Sequence, residues 1–217
     1  MCIRDRNHSP DTAGPSVLAG ALACASALEA QERQLTELDS ATGDGDLGIS
    51  MARGAASIRT LSASAAADAA SVLTQIAGAL HRAIGGSSGP FYAVGLLRAA
   101  QHLAAYETVD AAAWAAAFAQ AVEAVSELGG AKPGDRTMLD ALYPAVAAFK
   151  EALGQGATAS EAWAACVGAA EAGAASTAHM RPRLGRSSYL GDRALGVPDG
   201  GAVAVTIWLR ALTSIVE

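Results

Sequence analysis

AVAVTIWL, residues 202–209, decides the fold. Its β-branched residues would suit a strand, but nothing else in the chain offers a pairing partner, so the stretch reads as a buried helix. Working outward from it, apolar or alanine positions recur three and four apart near 14–38, 49–61, 65–84, 89–106, 110–128, 136–153, 159–176 and 199–216. In the fifth stretch Trp114, Phe118, Val122 and Val125 make one stripe. The expected fold is all-α, about eight helices packed antiparallel. Glycine-rich and polar text falls between the helices, and the longest irregular stretch is about 178–198. A loop of that length in a compact domain is usually functional.

The 217 residues suit one domain. Hydrophobic residues reach 52%, but alanine supplies much of that and aromatics only 5%, so helices should approach one another closely. A net charge of −6 argues against long nucleic acid as partner. High hydrophobicity with 17% charged residues argues against disorder. Cys2, Cys24 and Cys166 are scattered, which disfavours a disulfide framework or a cysteine zinc site. No apolar run reaches the roughly 18 residues of a membrane helix. Arg4 and Arg6 ahead of VLAGALACASAL imitate a signal peptide. The same helical pattern, however, continues through Leu28, Leu35 and Leu38 into the next motif, so a cytoplasmic protein is expected. Residues 1–13 read as a disordered arm or an artefact, and 14–217 as the domain.

Four segments carry chemistry. ELDSATGDGDLGIS, 37–50, sets Asp39, Asp44 and Asp46 among Gly43, Gly45 and Gly48 at a helix junction. Glycines allow the sharp turn that gathers the carboxylates. At about 4 Å and an effective dielectric of 20, each charged pair repels by on the order of 4 kcal/mol. A hard divalent cation would offset that, and magnesium fits best if phosphate oxygens complete its shell. A dinucleotide fingerprint fails because a helix precedes the glycines. An EF-hand fails because Ile49 and Ala55 hold the places that need Gly and an acid. A solvated Asp-Gly turn capping the next helix remains open.

IGGSSGPFYA, 84–93, offers backbone N–H groups and two hydroxyls at a helix start, an anion site or a plain capped loop. GGAKPGDRTMLDAL, 129–142, ends one helix at Gly129 and Gly130; Asp135 can cap the next, and Met138 could cover a base or simply fill core. RPRLGRSSYLGDRALGVPDGGAVAV, 181–205, concentrates Arg181, Arg183, Arg186 and Arg193 in an acidic protein, either as forks that match phosphate or as a solvated basic loop. Asp199, Gly200 and Gly201 then open the last helix. Helix junctions can all lie at one end of an antiparallel bundle. There the four segments would suit a metal-bound polyphosphate.

LDSATGDGDLG, GGSSGP, GDRTMLDAL and GRSSYLGDRALGVPDGGA resemble, in order and spacing, the nucleotide-binding L subunit or domain of dihydroxyacetone kinases. The resemblance runs from about residue 15 to the end. It implies an eight-helix antiparallel barrel with the nucleotide site at one end. It implies two Mg²⁺ on Asp39, Asp44 and Asp46, and ADP or ATP against Leu47, Gly48 and Ser50. Ser87 and Ser88 would meet the phosphates, Gly129 and Met138 the base, and Asp199, Gly200 and Gly201 would close the site. Arg186 would reach phosphate and stabilise charge in the transfer. Two positions depart from the family pattern: Leu47 replaces a His or small polar residue, and Asp199-Gly200-Gly201 replaces Asp-Pro-Gly.

The implied reaction is phosphoryl transfer to dihydroxyacetone or a similar keto-sugar held by a separate K subunit through a histidine. His8, His81, His102 and His179 lie in no matching motif, so the chain is expected to need that partner. The donor is either ATP or a phosphohistidine carrier of the phosphotransferase system that recharges bound ADP. A homodimer is compatible with this reading. A rival is a binding module of the fatty-acid-kinase type.

Overall fold

The computed structural model describes residues 10–62, 68–86 and 88–216. The described residues form ten α-helices and no strand: α1 Pro10–Ala30, α2 Glu32–Thr42, α3 Leu47–Ile58, α4 Ala69–Ala83, α5 Ser88–Leu103, α6 Ala111–Gly129, α7 Leu139–Gly154, α8 Ala159–Ser176, α9 Gly200–Ala211 and α10 Thr213–Val216. The deciding stretch is helical, with Ala202, Ala204, Val205 and Leu209 buried.

Two expected helices are divided. The one at 14–38 begins at Pro10 and breaks at Gln31, whose backbone sits at φ −105°, ψ 12°. Glu29 to Gln34 hold only Ala30 as an apolar residue, so little ties that stretch to the core. The break lets Leu35 turn fully inward beside Met51 and Ala55. The helix at 199–216 pauses at Leu212 before a short last turn. Residues 1–9 of the expected arm, and 65–67 of the expected third helix, lie outside the described residues.

Alanine-rich faces let neighbours pack closely in a ring. α1 lies on α3, α3 on α4, and each following helix on the next through α9, which returns to α1. Short connections make α4 through α8 antiparallel neighbours. α9 runs against α8, with Asp199 meeting Thr177 at one end and Trp163 meeting Leu209 at the other. It also runs against α1, where the Cys24 thiol donates to the Trp208 carbonyl across 3.4 Å and Gly20 faces Leu212.

The tightest approach joins α7 to α8. Pro144 lies inside α7 and cannot donate to the carbonyl four residues back, that of Asp140. Gly173 of α8 packs on that carbonyl: a Cβ there would sit 2.1 Å from the oxygen. Helix starts are fixed locally. Asp68, Asp110 and Asp199 accept from backbone N–H groups of α4, α6 and α9, and Thr158 with Glu161 forms a capping box on α8. Among the described residues no helix is long and apolar enough to cross a membrane.

Candidate functional site

Asp39 lies half-buried in the last turn of α2, and Asp44 and Asp46 stand on the turn into α3. The three offer one carboxylate oxygen each, all within 4.8 Å of one another. Asp39 organises the turn, its Oδ2 accepting from the backbone N–H of Asp46 at 2.9 Å and of Leu47 at 3.2 Å. Gly45 has φ 77°, and a Cβ there would lie 2.5 Å from Ser40 Oγ, so this turn needs glycine. Asp46 occupies the cap position of α3 without a side-chain hydrogen bond, and it is Asp39 that holds the first N–H of that helix. Octahedral magnesium holds oxygens at about 2.1 Å. Three hard oxygens this close could hold such an ion after a small inward turn of the side chains.

The arginine-rich segment is not irregular throughout. Thr177–His179 is one 3-10 turn, and Arg186–Ala194 is a pair of them joined at Gly191, φ 56°. Its four arginines differ in use. Arg181 pairs with Asp192 of its own segment, Nη2 to Oδ2 at 2.5 Å, and Arg183 pairs with Asp135 at 3.3 Å. Arg193 is exposed. Arg186 alone reaches the acid cluster, in contact with Asp44 and 3.7 Å from Asp46. Its single guanidinium offsets part of the negative charge gathered there.

Of the other expected residues, the Gly86 turn is drawn to this centre, and the rest are placed by neighbours of their own. A Cβ on Gly86, at the α4–α5 junction, would be 3.8 Å from Arg186 Nη2, which brings the glycine-serine turn beside the arginine. Ser88 is half-buried at the start of α5, and Ser87 lies outside the described residues. Gly48 and Ser50 are buried, Gly48 where α3 crosses α2: a Cβ would sit 2.1 Å from the Glu32 carbonyl oxygen. Gly129 abuts the Phe91 ring, and Gly201 faces Met138. The two departures from the family pattern touch each other. A Cβ on Gly200 would be 2.7 Å from Leu47 Cδ2, so the leucine occupies room that a bare glycine leaves.

Asp135 does not cap α7, contrary to expectation. Its Oδ2 accepts from Lys132 N–H, while Asp140 accepts from Gly134 and Thr137 N–H and so fixes the turn before α7. α7 begins at Leu139, and Arg136 and Thr137 precede it. Arg136 is a residue that pattern reading missed: it is fully buried with φ 62°, and its Nη2 donates to the carbonyls of Ala194 (3.3 Å) and Val197 (2.8 Å). Its only sequence signal is an arginine amid turn residues, which looks like an exposed loop.

Asp199 accepts from Ala202 N–H and receives Arg136's favourable charge, yet burial outweighs both and raises its carboxyl to about 6. The folded state therefore binds the proton more tightly than the unfolded chain. Stability from this group is present below about pH 4, declines as pH rises, and is gone above about pH 6. Asp199→Asn, which keeps the cap, should stabilise the protein above pH 6, and the gain should vanish below pH 4. Urea midpoints at several pH values measure this; a pH-independent difference would contradict it.

A sequence model described as the DAK2 domain matches residues 41–214. The ADP-binding subunit DhaL of the PEP-dependent dihydroxyacetone kinase of Escherichia coli (strain K12) is 33% identical over 87% of this chain and 90% of that subunit. The chain belongs to the DAK2 domain family. This DAK2 domain is also 35% identical, over 94% of its length, to a D-erythrulose kinase of Mycolicibacterium smegmatis, of which it covers 36%. It superposes with a TM-score of 0.68 and 28% identity on the dihydroxyacetone kinase from C. freundii in complex with AMP-PNP and Mg2+, covering 99% of this chain and 37% of that one. The DAK2 domain thus spans about a third of the length of several kinases it matches.

Proposed function

We propose that the chain is the nucleotide-binding L subunit of a dihydroxyacetone or related keto-sugar kinase of the cytoplasm. It would pass a phosphoryl group from Mg-nucleotide to a sugar hydroxyl held by a K partner. The observation that carries the reading is the convergence of Asp39, Asp44 and Asp46 under Arg186, beside the Gly86 turn. The near full-length likeness to an ADP-binding subunit supports it.

Asp39, Asp44 and Asp46 would hold one or two magnesium ions. When bound, these neutralise charge on the transferred group. Arg186 would leave the carboxylates for phosphate, a fork geometry that suits it, and would stabilise charge spreading over the equatorial oxygens. Free backbone N–H groups at the start of α5, next to the Gly86 turn that lies beside Arg186, would serve the same anion. Leu47 and Met138 would give the site apolar walls, and Gly129 would lie beside the base. The start of α9, with Asp199, Gly200 and Gly201, closes the site from the far side. No histidine lies among these residues, so sugar capture falls to the partner.

The test has two arms. Calorimetric titration with ADP and ATP should show binding that needs Mg²⁺; no binding with the metal present would end the proposal. Purified chain alone should phosphorylate no dihydroxyacetone, and adding a K subunit should give turnover. Turnover by the chain alone would refute the division of labour. ADP that survives purification would mark a phosphohistidine carrier as donor, and its absence would mark ATP.

A further inference from the structure

Arg136 is the one non-glycine residue with positive φ among the described residues, and the largest fully buried side chain. Left-handed backbone costs a non-glycine residue roughly 1 kcal/mol or more. A buried guanidinium carries a desolvation penalty besides. Burial accordingly lowers its pKa, against the pull of Asp199's charge. Its Nε and Nη1 find no hydrogen-bond partner. A residue so disfavoured persists only where its surroundings hold it in place. Glycine would satisfy the backbone, so the side chain must supply the compensating interactions.

Those interactions are the two carbonyls gripped by Nη2. Ala194 is the last residue of the 3-10 segment whose first residue is Arg186, and Val197 lies two residues ahead of Asp199, the cap of α9. One guanidinium therefore ties the α6–α7 turn to both the strap that bears Arg186 and the start of α9. The stem of the clamp is itself pinned, since Asp140 accepts from the N–H groups of Gly134 and Thr137 on either side. A second stitch joins the same parts, Arg183 N–H donating to the Asp135 carbonyl at 3.2 Å.

We infer that Arg136 is a positioning residue for phosphoryl transfer: its clamp on the Ala194 and Val197 carbonyls sets the Arg186 strap over Asp44 and Asp46. It never touches the nucleotide and acts through Arg186. The inference rests on the proposed function, and its test separates the two.

Arg136→Lys keeps the charge but loses the planar fork. Mg-ADP affinity is read by titration for the wild type, Arg136→Lys, Arg186→Ala and the double variant. Arg136→Lys should weaken binding about tenfold in the wild-type background and less than twofold in the Arg186→Ala background. Equal losses in both backgrounds, or unchanged binding with only a lower melting temperature, would overturn the inference. Wild type that binds no Mg-ADP would instead overturn the functional reading. If Arg136→Lys does not fold, hydrogen exchange of the wild type decides. Amides of 186–197 and the Arg136 guanidinium protons should slow together on adding Mg-ADP, and independent behaviour would overturn the clamp.

Discussion

Asp44→Asn should lower Mg-nucleotide affinity by on the order of 100-fold and leave the fold nearly untouched. A carboxylate about 4 Å from a unit charge, at an effective dielectric of 20, is worth about 4 kcal/mol before solvent screening. The side chain is 46% exposed, so a smaller figure near 3 kcal/mol applies, roughly two decades in affinity. Folding responds differently because two effects, both reduced by solvent at these half-exposed side chains, oppose each other. The substitution removes an exposed ion pair with Arg186, worth about 1 kcal/mol at most, and relieves repulsion from Asp39 and Asp46. Titration with and without Mg²⁺, alongside thermal melting, checks both halves. Equal binding by wild type and variant would remove Asp44 from the site, and a large fall in melting temperature would recast the triad as structural.

Gly173→Ala should be among the most destabilising single-methyl changes in the protein, although alanine is the better helix former. The added Cβ would lie 2.1 Å from the Asp140 carbonyl oxygen and 3.1 Å from Pro144 Cγ. Backbone cannot rotate away as a side chain can, so α7 and α8 must separate. Overpacking of this kind costs about 3 kcal/mol. The helix-propensity gain, at most about 1 kcal/mol, does not offset it. A net loss near 2 kcal/mol lowers the midpoint by roughly 4–8 °C for a chain of this size. Gly168, in the same helix with nothing within 4 Å of its would-be Cβ, is the control, and Gly168→Ala should raise the midpoint slightly. Matching effects at both glycines would show that the α7–α8 approach has slack.

Most of the fold is legible in the spacing of apolar residues because helix burial is periodic and local. Residues 202–209 show it: the β-branched content misleads, but the absence of a partner strand is decisive. The acid triad is legible for a similar reason, since close spacing and glycines leave the carboxylates few ways to avoid one another. What escapes the sequence is set by distant neighbours. The break at Gln31 depends on where Leu35 finds its pocket. Asp135 reads as a cap for α7, but Lys132 N–H and Arg183 take its carboxylate, and Asp140 from inside the helix fixes the preceding turn instead. Arg136 looks like a surface loop residue because the carbonyls it grips lie about sixty residues away. Four arginines look alike in text, whereas neighbouring carboxylates set apart one that meets the acid cluster and two held elsewhere, with Arg193 exposed.

The seam between α1 and α9 joins residues 184 apart in sequence, Cys24 and Trp208. Closing so long a loop carries an entropic penalty that local helix pairs such as α7–α8 avoid. A partly folded chain can therefore hold its middle hairpins while this seam is open. With α1 and the α3 that packs on it still detached, Gly200 has not met Leu47, so ligand competence would arrive with the last long-range step of folding, and bound nucleotide would act as a latch on it.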